Sequence, residues 1–159
     1  MKAKYINPFL QAAVNLFKIH LGVEITNGKP YINTDSQNLN EISAIIGLAG
    51  DTVGAVVLSF TRPTAIKMIS LFSGKPYQAL SKEVIDGVGE LVNILAGNAK
   101  KGLTDFRIDI SLPGVVTGNK YKINWPKGIP VISIPFYSNL GDFTVNVSLK
   151  DMIWLKIIF

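Results

Sequence analysis

Glu90 and Asn93 are the residues of this sequence whose types and spacing best suit chemistry at a protein surface. They lie three positions apart, in a segment that also contains Gly87, Gly89 and Gly97. A glycine inside a helix costs about 0.5–1 kcal/mol relative to alanine, so three of them in one segment require an explanation. One explanation is that another molecule must approach this segment closely.

Hydrophobic periodicity predicts a long helix over residues 82–101. At about 100° per residue, its apolar positions share one face: Val84, Val88, Leu91, Val92, Leu95 and Ala99. Asp86, Glu90, Asn93 and Gly97 fall together on the opposite side, and Gly89 borders them. Because residues three apart are neighbours on a helix surface, Glu90 and Asn93 are expected to point the same way into solvent. A plain solvated helix face is the competing interpretation.

Composition favours one globular domain and excludes several kinds of site. The chain has 159 residues, of which 48% are hydrophobic and 17% charged. It has no cysteine and only one histidine, His20, which excludes disulfides, thiolate metal sites and a Ser-His-Asp triad. Composition therefore argues against a metal site built from cysteine or several histidine ligands.

Charge and hydropathy along the chain bear on partners and location. The net charge is +5, but the lysines are scattered rather than clustered with aromatics, so a nucleic-acid partner is not expected. The N-terminus lacks the apolar core of a signal peptide, and no stretch is long enough to span a bilayer, so we expect a cytoplasmic protein without membrane association. Residues 1–150 are expected to form the single domain, followed by an apolar C-terminal extension at residues 151–159.

The remaining patterns predict an α+β fold, an antiparallel sheet with long helices packed on one face. Helices are expected at residues 6–21, with Pro8 in the first turn, and from Arg62 to about Phe72. Apolar hairpins are expected at residues 42–60 and 129–149, and a short strand at 120–125. The two hairpins both turn at a Gly-Asp pair, which suggests duplicated helix–hairpin halves.

The sequence resembles the CheC/CheX family of chemotaxis phosphatases. The family motif, Glu-x-x-Asn on a helix, matches Glu90 and Asn93. The likeness covers nearly the whole chain up to Lys150 and includes residues 6–9, 47–60, 97–99, 110–113 and 125–130. In this setting the short motif becomes specific.

The resemblance implies removal of phosphate from the aspartyl phosphate of a CheY-like response-regulator receiver. It implies that Asn93 holds a water in line with the phosphorus and that Glu90 pairs with a receiver lysine. Asp86, Gly89 and Gly97 are expected to contact the partner. The resemblance also implies that this chain has no metal or cofactor of its own, that the Mg²⁺ belongs to the receiver, and that the chain forms a homodimer.

The first helix departs from the two-site members of the family. Asn15 has Ala12 three positions before it instead of an acid, so a single site per chain is expected. Two alternatives stay open at this point. One is a module that binds a receiver, or a flagellar or signalling partner, without turnover, and the other is a structural homodimer with no receiver partner.

Overall fold

Two antiparallel hairpins meet at the centre of one eight-stranded sheet. The computed structural model describes residues 3–34 and 39–150, so the expected extension at 151–159 lies outside the described residues. The strands are β1 Thr26–Asn27, β2 Tyr31–Ile32, β3 Ile42–Gly50, β4 Gly54–Phe60, β5 Ile108–Ile110, β6 Gly114–Thr117, β7 Ile132–Tyr137 and β8 Phe143–Leu149. Their order is β1-β7-β8-β4-β3-β5, with β2 also paired to β7 and β6 also paired to β3.

The sheet confirms the predicted duplication. β4 and β8 pair antiparallel in the middle, with Val57 opposite Asn146. Outside them lie their hairpin partners β3 and β7, and beyond these lie two pairs of short strands. The short strands of the first half extend β7, whereas those of the second half extend β3, so the two halves are interlocked.

Three helices accompany the sheet in the described part of the chain, and glycines or side-chain caps account for four of their ends. They are α1 Ala3–Leu16, which continues as a π-helical turn Phe17–Leu21, α2 Arg62–Ser73 and α3 Lys82–Gly102. Gly22 ends the π-helical turn and Gly74 ends α2, both at positive φ, where glycine carries no steric penalty. Thr61 and Ser81 cap the N-termini of α2 and α3 with their side-chain oxygens.

The core lies between the helices and one face of the sheet. The predicted apolar stripe of α3 is fully buried, and it joins buried residues of α1 and alternate residues of β3 and β4 in one hydrophobic cluster. Four phenylalanines, contributed by the π-helical turn, β4, β7 and β8, pack with ring centroids 4.7–6.4 Å apart: Phe17, Phe60, Phe136 and Phe143. The long helix is thus held in place by its whole inner face.

The opposite face of the sheet carries several buried polar residues. Ser43 and Ser59 are buried there and hydrogen-bond to each other at 2.9 Å. Tyr121 reaches this face from the segment between β6 and β7, and its hydroxyl lies 2.6 Å from Ser43 Oγ. Burial raises the pKa of Tyr121, and hydrogen bonds to the two serines oppose that shift.

Two local expectations are wrong. Residues 120–125 form no strand, because Tyr121 is anchored through its hydroxyl to Ser43 and to the Asn40 carbonyl instead of joining a ladder. The first helix begins before residue 6, at Ala3, so Pro8 lies inside it rather than in the first turn. Pro8 packs against α3 there, with its Cβ 2.9 Å from the position that a Cβ on Gly102 would occupy.

Candidate functional site on the outer face of helix α3

Helix α3 is a rigid base for the candidate site. The Val84 amide donates to Ser81 Oγ at 3.3 Å, which satisfies one of the free amides at the helix start. The pKa of Glu83 in the first turn is lowered, first by its own backbone amide and then by the Ser81 hydroxyl. With the cap at one end and its inner stripe buried, α3 fixes the backbone from which its outer side chains project.

Glu90 and Asn93 lie together on the outer face of α3, as the periodicity predicts. Glu90 is exposed and Asn93 is half-buried. Within residues 3–34 and 39–150, neither side chain has a hydrogen bond or an ion pair. A primary amide offers two donors and an acceptor, and an ionised carboxylate only accepts. The face therefore presents an amide and a carboxylate, neither of them hydrogen-bonded within the described residues, to any molecule that binds there.

Asp86 extends this face by one turn toward the N-terminus of α3. It is exposed, and it lies four positions before Glu90, so the two carboxylates are neighbours on the helix surface. The ion pairs found among the described residues involve Lys4 with Asp105 and Arg62 with Glu41, and neither includes these carboxylates. The face is locally acidic although the chain as a whole carries a net charge of +5.

The glycines of α3 have different structural reasons. A Cβ on Gly87 would lie 2.7 Å from Ile69 Cγ2, and a Cβ on Gly89 would lie 3.3 Å from Val115 Cγ2. Both glycines therefore allow close packing within this chain. A Cβ on Gly97 would meet nothing within 4 Å. The interpretation that all three keep the surface open needs correction, because only Gly97 lacks an internal explanation.

Gly89 in particular is buried under the strand β6 and the residue that precedes it. Pro113 lies 3.8 Å from the position that its Cβ would take. The periodicity predicts that Gly89 borders the solvent-facing side of α3, but it lies buried where α3 meets the β5–β6 connection. That connection borders the candidate site, and sequence reasoning did not place it there. In the sequence, this connection is indicated by Pro113-Gly114, which interrupts the alternation of apolar and polar residues over residues 108–116.

Helix α1 carries no Glu–Asn pair at the positions that match Glu90 and Asn93. Its buried positions match those of α3 in spacing: Tyr5, Phe9, Ala12, Ala13 and Leu16 correspond to Val84, Val88, Leu91, Val92 and Leu95. In this register Gln11 takes the place of Glu90 and Val14 the place of Asn93. Asn15, the residue considered from sequence, instead accepts a hydrogen bond from Gln11 at 3.3 Å.

Comparison with known proteins decides the family. The family model described as chemotaxis phosphatase CheX matches residues 42–137, which include α3 and most of the sheet. This chain belongs to the CheX family. The CheY-P phosphatase CheX of Thermotoga maritima is 29% identical over 154 residues, covering 95% of this chain and 99% of that protein.

Solved CheX structures share the fold over nearly the whole chain. The chemotaxis protein CheX of Vibrio vulnificus is 30% identical with a TM-score of 0.85, covering 93% of this chain and 100% of that one. A CheX–CheY–BeF3–Mg²⁺ complex from Borrelia burgdorferi contains a chain that is 29% identical with a TM-score of 0.80, covering 92% of this chain and 98% of that one. The predicted α+β, CheX-like fold is confirmed.

Among the residues that the structure describes, no cluster of three or more His, Asp or Glu side chains is placed to hold a metal ion. None of the helices in the same part of the chain is both long and apolar enough to cross a membrane.

Proposed function

We propose that this CheX-family chain hydrolyses the aspartyl phosphate of a phosphorylated CheY-like receiver, with Asn93 and Glu90 as the residues that act on it. The observation that carries the proposal is the uncommitted Asn93 amide, held beside Glu90 on the outer face of a rigid helix. Two relatives support the partner: the Thermotoga maritima protein is a CheY-P phosphatase, and the Borrelia burgdorferi complex contains CheY.

Asn93 positions the attacking water in this proposal. An aspartyl phosphate is a reactive mixed anhydride, so the main requirement is to hold water in line with the phosphorus. The water oxygen forms a bond to phosphorus, the bond from phosphorus to the aspartyl oxygen breaks, and the receiver recovers a free carboxylate. An amide suits this task because it can both accept from the water and donate to it or to a phosphoryl oxygen. It also adds no negative charge near the phosphoryl group.

Glu90 fixes the position of the receiver. Its exposed carboxylate pairs with a lysine of the receiver, and Asp86, one turn away, adds to the negative potential that a cationic partner meets. Gly97 lies one turn beyond Asn93 and leaves room for the partner there. The Mg²⁺ that neutralises charge on the transferring phosphoryl group is supplied by the receiver, as the composition of the Borrelia burgdorferi complex suggests.

A turnover assay separates this function from receiver binding without catalysis. A substoichiometric amount of the chain is added to phosphorylated CheY with Mg²⁺, and the loss of phosphate is followed over several turnovers. The proposal predicts that each molecule of the chain dephosphorylates many receivers. If the receiver binds but its phosphate decays no faster than alone, the chain is a binding module.

A further inference from the structure

Leu112 is an unusual residue for the surface that it occupies. It is 90% exposed, more than any other large apolar side chain in the described part of the molecule. A single exposed leucine is common on protein surfaces and carries no meaning by itself. The position of Leu112 and the hydrogen-bonded backbone that carries it are what distinguish it.

The backbone around Leu112 forms a β-bulge. Ile110 pairs with Leu48 and Gly114 pairs with Ile45, so three residues of the β5–β6 connection stand opposite only two residues of β3. One extra residue against a continuous partner strand defines a bulge, and bulges often redirect a side chain beside a functional site. Leu112 is the middle residue of the three.

Hydrogen bonds pin this bulge to β3. The Ser111 amide donates to the Gly47 carbonyl at 2.9 Å, and the Gly47 amide donates to Ser111 Oγ at 2.8 Å. The Ser111 hydroxyl donates in turn to the Leu112 carbonyl at 2.9 Å. The ring of Pro113 fixes the φ angle of Pro113 itself, which restricts the backbone directly after Leu112. Leu112 is therefore presented from a fixed backbone, which lowers the entropy cost of using it in a contact.

The bulge borders the Asn93 side of α3. Pro113 and Val115 pack over Gly89, and Gly89 lies one helical turn before Asn93. Helical side chains lean toward the N-terminus of their helix, so the Asn93 side chain lies over the turn that holds Gly89. Around the helix, Asn93 stands between the bulge and Glu90. A partner that covers both Asn93 and Glu90 therefore arrives beside the bulge that carries Leu112.

We propose that Leu112 is a docking residue for the receiver, an inference that rests on the function proposed above. Glu90 supplies a charged contact on one side of Asn93, and Leu112 supplies an apolar contact on the other. The apolar contact orients the receiver without placing a charge near the phosphoryl group. Because Leu112 touches no reacting atom, it affects affinity for the receiver rather than the chemical step.

The test compares two exposed apolar residues on opposite edges of the sheet. Leu112→Ala and Leu112→Gln are measured beside Ile32→Ala, where Ile32 is 63% exposed on β2. Burial of a leucine side chain corresponds to about 10-fold to 100-fold in Kd. Both Leu112 variants should raise the Kd for CheY activated with BeF3 and Mg²⁺, and the KM for phosphorylated CheY, about tenfold. The kcat should stay unchanged, and Ile32→Ala should behave as the parent protein.

The outcomes distinguish this inference from the proposed function. If the parent chain neither binds activated CheY nor speeds loss of its phosphate, the proposed function and the docking role of Leu112 both fail. If the parent is active and the Leu112 variants match it, only the docking role of Leu112 is overturned. A change in the sedimenting mass of Leu112→Ala without a change in Kd also overturns it, and assigns the residue to contact between copies of this chain. Unchanged thermal unfolding is expected for Leu112→Gln, because the side chain is nearly fully exposed.

Discussion

Gly97→Ala should make the protein more stable. Gly97 lies inside α3, and an added Cβ would meet no atom within 4 Å beyond its own helix. Alanine is favoured over glycine inside a helix by about 0.5–1 kcal/mol, and here no steric cost opposes that gain. For a domain of this size the gain corresponds to a rise in Tm of about 1–4 °C.

Gly87→Ala is the matched control in the same helix. Its Cβ would lie 2.7 Å from Ile69 Cγ2, and Ile69 is only 1% exposed and cannot move into solvent. Overpacking of this kind costs about 1–3 kcal/mol, which meets or exceeds the gain in helix propensity. Urea unfolding should therefore give Gly97→Ala a higher free energy of unfolding than the parent protein. The free energy of unfolding of Gly87→Ala should equal that of the parent or be lower.

A larger side chain at position 97 tests whether Gly97 leaves room for the partner. Leucine is a good helix former, so Gly97→Leu should remain folded, but it should raise the KM for phosphorylated CheY by filling the space left for the partner. Lower stability of Gly97→Ala would refute the steric reasoning. Normal stability of Gly97→Leu together with an unchanged KM would show that Gly97 lies outside the docking surface.

Three further outcomes are expected. Glu90→Gln should weaken binding of activated CheY and reduce its salt dependence, measured as Kd from low to high ionic strength, and equal salt dependence would remove Glu90 from the interface. Ser81→Ala should lower the free energy of unfolding by about 0.5–2 kcal/mol through loss of the α3 cap, while α3 persists by circular dichroism. Burial raises the pKa of Tyr121, so its contribution to stability is present below its ordinary pKa of 10.0 and is lost as the pH rises through the higher folded value. Urea titrations at increasing alkaline pH should show a smaller loss of stability in Tyr121→Phe than in the parent, and equal losses would contradict the burial argument.

Periodicity made much of this fold accessible from the sequence. The stripe from Val84 to Ala99 is buried as predicted, because a helix that covers a sheet must bury a face with a period of 3.6 residues. The hairpin of β3 and β4 was recognisable because two apolar runs flank Gly50, which adopts a positive φ. The outward position of Glu90 and Asn93 follows from the same periodicity.

Long-range packing explains what the sequence did not reveal. Gly87 and Gly89 look alike in the sequence, but they are glycines for different reasons. Gly87 lies against Ile69 of α2 and Gly89 against Val115 of β6, and both neighbours are distant in the chain. The bulge at Leu112 depends on the register of two short strands against β3, and no local pattern specifies that register. The expected homodimer stays a prediction.

Single-turnover kinetics of Asn93→Ala test the central claim most directly, because the variant removes the amide and leaves the docking face in place. Asn15→Ala, an exposed asparagine on α1, is the matched control. The proposal predicts that Asn93→Ala slows loss of phosphate from saturating phosphorylated CheY by about 10²-fold, with a Kd for activated CheY close to that of the parent. Asn15→Ala should match the parent both in the rate of phosphate loss and in the Kd for activated CheY. Near-normal hydrolysis by Asn93→Ala at saturation would contradict a role for this amide in positioning the water.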